Sequence, residues 1–223
     1  MTKLNKTLAA LSAAALLTAS ANAIVIDISS AGDSGLAFGG DSTVSFFSNV
    51  DGHVFEVNDS DGAVGDAKGL FGSIGGIWTI DPWTGNTTTL SGGPGSFTIW
   101  DENSETLTAD LDLSMIGTVL SGGVMNGASN LSNFAYAGTN EDLMWLASSG
   151  VATLSLSFEL AQGPSDLSID YLAENSIEST FSGDVAATHT VPEGGTTAAL
   201  MGFGLFAIAA YSRKRSFRSK RAS

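Results

Sequence analysis

Two stretches of the chain alternate apolar and polar residues with a strict period of two, and this pattern restricts the fold more than any other feature. In Glu105–Leu113, Leu107, Ala109, Leu111 and Leu113 share one face while Thr108, Asp110 and Asp112 share the other. In Val151–Leu160, Ala152, Leu154, Leu156, Phe158 and Leu160 oppose Thr153, Ser155, Ser157 and Glu159. Successive side chains of a strand point to opposite faces, so each run is a strand with one face buried and one in water. Further strands are expected at Ile24–Ile28, Thr43–Ser48, His53–Val57, Gly76–Ile80, Thr87–Leu90, Ser96–Asp101, Thr118–Leu120, Leu167–Leu172 and Ile177–Ala186. Asp51-Gly52, Asp61-Gly62, Asp81-Pro82, Gly92-Gly93-Pro94 and Gly163-Pro164 mark the turns between them. One stretch reads as helix, Thr139–Ala147, with a polar cap, Glu141 and Asp142 in its first turn and Gly150 past its end. This pattern predicts an all-β domain over residues 24–187, a single antiparallel β-sandwich of jelly-roll or immunoglobulin-like form.

Charge is sharply segregated along the chain. The formal net charge is −14, yet residues 24–190 hold 22 acids against one base, Lys68. Six bases crowd into the last eleven residues, and Lys3 and Lys6 lie near the start. A domain with one base has no phosphate-binding face, which excludes nucleic acid as a partner. Its counter-ions are cations, and its charge keeps it dispersed. There is no cysteine, so disulfides, thiolate metal sites and cysteine nucleophiles are excluded. A domain of about 167 residues buries enough surface to do without staples.

The two ends read as addresses. Residues 1–23 have the three parts of a secretory signal peptide: the basic MTKLNK, the apolar TLAALSAAALLTA and a small-x-small cleavage site at Ala21-Asn22-Ala23. The mature chain is expected to start at Ile24. At the other end, residues 188–195 are expected to form a tether, and 196–212 a single transmembrane helix. Its uncharged part, Thr196–Tyr211, would be about 24 Å long at about 1.5 Å per residue, the short end of what spans a bilayer. The tail 213–223 carries Arg213, Lys214, Arg215, Arg218, Lys220 and Arg221, which hold it on the cytoplasmic side and leave the acidic domain outside. Pro192 disfavours helix at Val191, and Gly194-Gly195 leaves the backbone bare, so an extended segment precedes the helix.

Val191-Pro192-Glu193-Gly194-Gly195, then Thr196-Thr197-Ala198-Ala199-Leu200, an apolar run and the basic stop Arg213-Lys214-Arg215, resembles the PEP-CTERM class of bacterial sorting signals. The closest variant is the VPDSG-CTERM type, from which this chain departs at Glu193, where that variant has Asp, and at Gly194, where it has Ser. The resemblance covers the last 30 or so residues and implies nothing about the β domain. It implies recognition by an exosortase, a membrane-embedded cysteine transpeptidase, on the outer face of the inner membrane of a Gram-negative-type bacterium. Export by the Sec machinery, removal of the tail and delivery to the cell surface or an exopolysaccharide matrix follow from it.

Inside the domain few residues have the types and spacing that catalysis or metal binding needs. His53 and His189 are 136 positions apart, no G-x-S-x-G elbow accompanies His53, and His189 falls in the expected tether. With two histidines and no cysteine, an ordinary zinc site is excluded. Asp59, Asp61 and Asp66 are candidates for an irregular calcium site in a loop. In the EF-hand register, however, Val57 and Lys68 would take the two end positions that need carboxylates. Asp110 and Asp112 lie on one strand face about 7 Å apart, but they alternate with core residues as any solvated face does. Trp78, Trp83 and Trp100 could stack on sugar, and Trp83, in the turn Asp81-Pro82-Trp83-Thr84-Gly85, is the best pointer to a ligand. The sequence thus reads as a non-enzymatic exported protein without a cofactor. The alternatives are a carbohydrate-binding module using Trp83, with or without calcium, and a secreted glycosidase, which needs a carboxylate pair across a cleft.

Overall fold

The computed structural model describes residues 22–49, 51–61, 66–82, 85–126, 130–160 and 167–189. Both alternating runs form strands, and each buries the face its pattern specifies: Leu107, Ala109 and Leu111 in the first, Ala152, Leu154, Leu156 and Phe158 in the second. In chain order the strands are β1 Asn22–Ser30, β2 Gly35–Gly39, β3 Thr43–Phe47, β4 Phe55–Ser60, β5 Phe71–Gly75, β6 Ile77–Ile80, β7 Thr87–Gly92 and β8 Gly95–Trp100. They continue with β9 Thr106–Leu111, β10 Met115–Val119, β11 Gly122–Asn126, β12 Leu131–Ala135, β13 Val151–Glu159, β14 Ser176–Ser179 and β15 Phe181–His189. Among the described residues two helices interrupt them, α1 Glu141–Ser149 and α2 Ile169–Glu174.

All fifteen strands of the described residues join one sheet. Eight of them, in the order β12-β9-β8-β5-β4-β1-β15-β13, close on themselves because β13 also pairs with β12. Seven of those pairings are antiparallel, and in a ring of eight this fixes β1 and β15 as antiparallel too. Closure removes sheet edges, which otherwise present unpaired backbone groups. The other seven strands extend from β13 as β11-β10-β7-β6-β3-β2-β14. The strand β13 therefore changes partner along its length: Val151 and Ala152 face β12, whereas Leu156–Glu159 face β11. The class is all-β and antiparallel, with a barrel- or sandwich-like sheet. Residues 23–189 form one compact unit.

The core runs continuously through this sheet. Phe55 and Phe97 stack at 5.2 Å, and Phe38 and Phe158 meet at 5.3 Å. Each such side chain removed from water contributes about 1.5–3 kcal/mol. Gly72 is needed where Phe55 lies flat, since a Cβ there would come within 2.1 Å of that ring.

Four strands carry no alternating signature and were not expected: β2, β5, β11 and β12. The sequences of β5 (FGSIG) and β11 (GGVMN) are glycine-rich, which lowers β-propensity, and they are held by their neighbours. The expected strand Leu167–Leu172 is corrected to the helix α2. Ser168 caps it by accepting from the Tyr171 N–H at 3.2 Å, and Ile169, Leu172 and Ala173 are buried at helical spacing. The run Ile177–Ala186 is two strands, broken at Thr180, with β14 pairing β2 and β15 pairing β13. The expected helix is present as α1, capped by Asn140 and ended by Gly150 at φ 76°.

Among the described residues no helix is long and apolar enough to cross a membrane. The expected transmembrane span 196–212 lies outside the described residues, as do the signal peptide through Ala21 and the tail 213–223. Ala23 is exposed in β1 and Ile24 beside it is buried. The strand β15 runs to His189, two residues into the segment expected as tether.

Candidate functional site

Most residues singled out for processing and ligand binding fall outside the described part of the chain. These are Val191, Pro192, Glu193, Gly194, Gly195, Arg213, Lys214, Arg215, Ala21 and Trp83.

The calcium candidates Asp59, Asp61 and Asp66 lie within the described residues. Asp66 accepts from the backbone N–H groups of Glu141 (3.0 Å) and Asp142 (3.1 Å), one on each carboxylate oxygen. It therefore neutralises the positive end of α1 from a distant loop. Asn140 adds the local cap, accepting from Leu143 N–H at 3.0 Å, and its amide donates to the Asp66 carbonyl. Asp142, fully buried, accepts from the Ser60 hydroxyl at 2.6 Å and from Ala67 N–H at 3.3 Å. Asp59 lies 3.7 Å from Lys68 on the surface, and the backbone N–H of Asp61 bonds Val25. Among the described residues no group of three or more His, Cys, Asp or Glu is placed to hold a metal.

His53, half-buried ahead of β4, stacks on Phe71 with ring centroids 4.5 Å apart and planes 13° apart, and tilts against Trp100 at 5.5 Å. Its ring is thus packed against aromatics on the outer side of β5 and β8. Next to Trp100, the Asp101 carboxylate accepts from the Tyr136 hydroxyl (2.6 Å) and from Asn103 and Glu105 N–H (2.8 Å each). These bonds, the Tyr136 one foremost, hold Asp101 below the usual carboxylate range. Burial first, and the Asp101 contact second, push the Tyr136 hydroxyl up to about 12.

Trp78 is not a stacking platform. It is fully buried on β6, edge-on to Phe46 at 6.0 Å. Glycines make room for its indole: a Cβ at Gly95 would come within 2.5 Å of the ring, and one at Gly76 within 2.7 Å. Its Nε1–H has no hydrogen-bond partner among the described residues. Over this indole passes the β7–β8 connection Gly92-Gly93-Pro94, with Gly92 and Gly93 at φ 112° and 90°, which favours glycine at both. That connection, with Asp110, Asp112 and Ser132, lines a groove of about 390 Å³. Asp110 accepts from the Asn133 side-chain amide at 2.7 Å, and Asp112 is exposed. Period-two reasoning placed both acids on the solvent side of β9. Their position beside the Gly92-Gly93-Pro94 connection depends on which strands become neighbours, and no local signal reports that.

No family model, curated protein or solved structure matches this chain.

Proposed function

We propose that this is a non-enzymatic exported protein of the bacterial cell surface or exopolysaccharide matrix. It leaves the cytoplasm through the Sec machinery and is held transiently in the inner membrane by residues 196–212, with its acidic domain outside. An exosortase then processes it at Val191-Pro192-Glu193-Gly194-Gly195. The observation that carries this reading is the order of segments in the last 33 residues: a Pro/Gly motif, an uncharged apolar run, then six bases. The β domain supports it by its limits. The compact unit spans 23–189, from one residue before the expected cleavage to just short of the motif that starts at Val191. In this reading the domain is a sandwich of jelly-roll or immunoglobulin-like form, and neither acid–base catalysis nor a cofactor is assigned to it.

The test is replacement of Pro192 and Glu193 by alanine in the native host, with mass spectrometry of the product. The variant should keep its tail and stay in the membrane fraction. A wild-type C-terminus and location in that variant would refute sorting through this motif.

A further inference from the structure

We infer that the leader bond Ala23–Ile24 is cut only while β1 is undocked, so that leader removal competes with closure of the barrel and must come first. This rests on the reading of residues 1–23 as a signal peptide and adds to it the timing of the cut. The bond does not lie in a linker ahead of the domain. It lies inside β1, which begins at Asn22, and β1 is the strand that joins β4 to β15 in the ring of eight. Ile24, the first residue after the bond, is 1% exposed, and Ile26 and Ile28 behind it are buried in the same core.

Both backbone edges of β1 have a neighbour. On one edge the strand pairs with β4 from Ile26 to Ser30, and the Asp61 N–H donates to the Val25 carbonyl at 2.8 Å, one residue past Ile24. On the other edge lies β15. The Phe181 N–H donates to the Ser30 hydroxyl oxygen at 2.8 Å, which sets the start of β15 beside the end of β1. The two strands are antiparallel, so Ala23 and Ile24 lie toward the His189 end of β15. A peptidase that takes its substrate as an extended strand needs a free backbone edge and side chains that can enter its pockets. In the closed barrel β1 is flanked on both sides and the Ile24 side chain is in the core. The strand must therefore come out at least as far as Val25 before it is cut. The cut adds water across the Ala23–Ile24 amide and leaves a carboxylate on Ala23 and an amine on Ile24.

Chain order sets how long the bond stays open. The strand β15 is the last of the domain, and β1 lacks one of its two neighbours until β15 has crossed the membrane. A chain delivered in order from its start presents the bond throughout delivery and loses it when the final strand docks.

The test uses the full-length precursor in mild detergent with purified bacterial signal peptidase, and mass spectrometry reads the product. Precursor diluted from urea straight into the peptidase should be cut at Ala23–Ile24. Precursor refolded first, to constant tryptophan fluorescence, should be cut at least about tenfold more slowly, since freeing the bond takes Ile24 out of the core. Ile26→Asp with Ile28→Asp keeps β1 from docking and should be cut at the fast rate even after the refolding step. A short Gly/Ser spacer inserted between Ala23 and Ile24 moves the bond out of the strand and should make folded and freshly diluted precursor equally cleavable after Ala23. Refolded and freshly diluted wild-type precursor cut at the same rate would overturn the timing and leave the leader reading intact. A spacer variant that stays slow when folded would overturn it too. No cut at that bond in either state would remove the leader reading itself, and the timing with it.

Discussion

Asn130 sits where the ring of strands must hand β13 from one partner to the next, and its removal should destabilise the domain measurably. The strand β12 ends its pairing at Ala152 and β11 begins at Leu156, so no strand among the described residues lies opposite Leu154 on that side. The Asn130 side chain takes the place of a strand there. Its Oδ1 accepts from Leu154 N–H at 2.6 Å, and its Nδ2 donates to the Leu154 carbonyl at 3.0 Å. Leu154 is fully buried and Asn130 is 5% exposed, so water does not replace these bonds easily. Asn130→Ala leaves two buried backbone groups unmet at about 1–3 kcal/mol each, a loss of roughly 2–6 kcal/mol, nearer the lower end where water enters the vacated space. For a domain of this size each kcal/mol lowers the melting temperature by about 2–4 °C. Asn130→Asp loses the donor and sets a buried carboxylate against the Leu154 carbonyl, so at neutral pH its loss should be at least as large as that of Asn130→Ala. Urea unfolding of the purified protein, followed by tryptophan fluorescence, measures both, with an unchanged denaturant slope as the check on a common unfolded state. Asn130→Ala within about 0.5 kcal/mol of wild type would show that the amide does not replace the missing strand. An Asn130→Asp loss at neutral pH well below that of Asn130→Ala would refute a buried donor contact from the amide to the Leu154 carbonyl.

Two further outcomes follow from the polar contacts. Asp66→Ala removes the acceptor from two N–H groups of α1 and should cost about 1–2 kcal/mol, read as a lower thermal midpoint. Asp66→Asn should cost less, since it keeps one acceptor oxygen. The Asp101–Tyr136 pair sets a pH dependence with a defined sign. Asp101 is held low in the folded state, so its contribution is present above the ordinary carboxylate pKa near 4 and disappears as pH falls through the lower folded value. The stability gap between wild type and Tyr136→Phe should therefore narrow in acid. Tyr136 is raised to about 12, so its contribution is complete below about pH 10 and disappears as pH climbs through the folded value. Spectrophotometric titration should find a phenolate component near 12 that the Tyr136→Phe change removes.

Which parts of the molecule were legible in the sequence follows from the range of the forces involved. The strands β9 and β13 could be read because a half-buried strand writes its burial into consecutive residues, and α1 because its cap, acids and terminal glycine lie within a dozen positions. The glycine strands β5 and β11 could not be read. Their glycines are required by Phe55 and Phe158, which approach from elsewhere in the chain. The segment Leu167–Leu172 misled because Leu167 and Ile169 fit a strand, while Ser168 and the buried pair Leu172–Ala173 fit a helix. In so short a run the tertiary contacts decide. Asp66 looked like part of a cation loop because an exposed Asp cluster has that composition. The helix end it caps begins 75 positions later.

By itself the sequence determined that the domain is β, antiparallel and acidic, because alternation and charge are local properties that no later contact can rewrite. The closure of eight strands through the divided pairing of β13 was decided by the tertiary structure alone. So were the use of an asparagine in place of a strand and the meeting of Asp110 and Asp112 with the Gly92-Gly93-Pro94 connection in one groove. Each of these depends on which distant segments meet, and backbone hydrogen bonding and close packing settle that only once the sheet has formed.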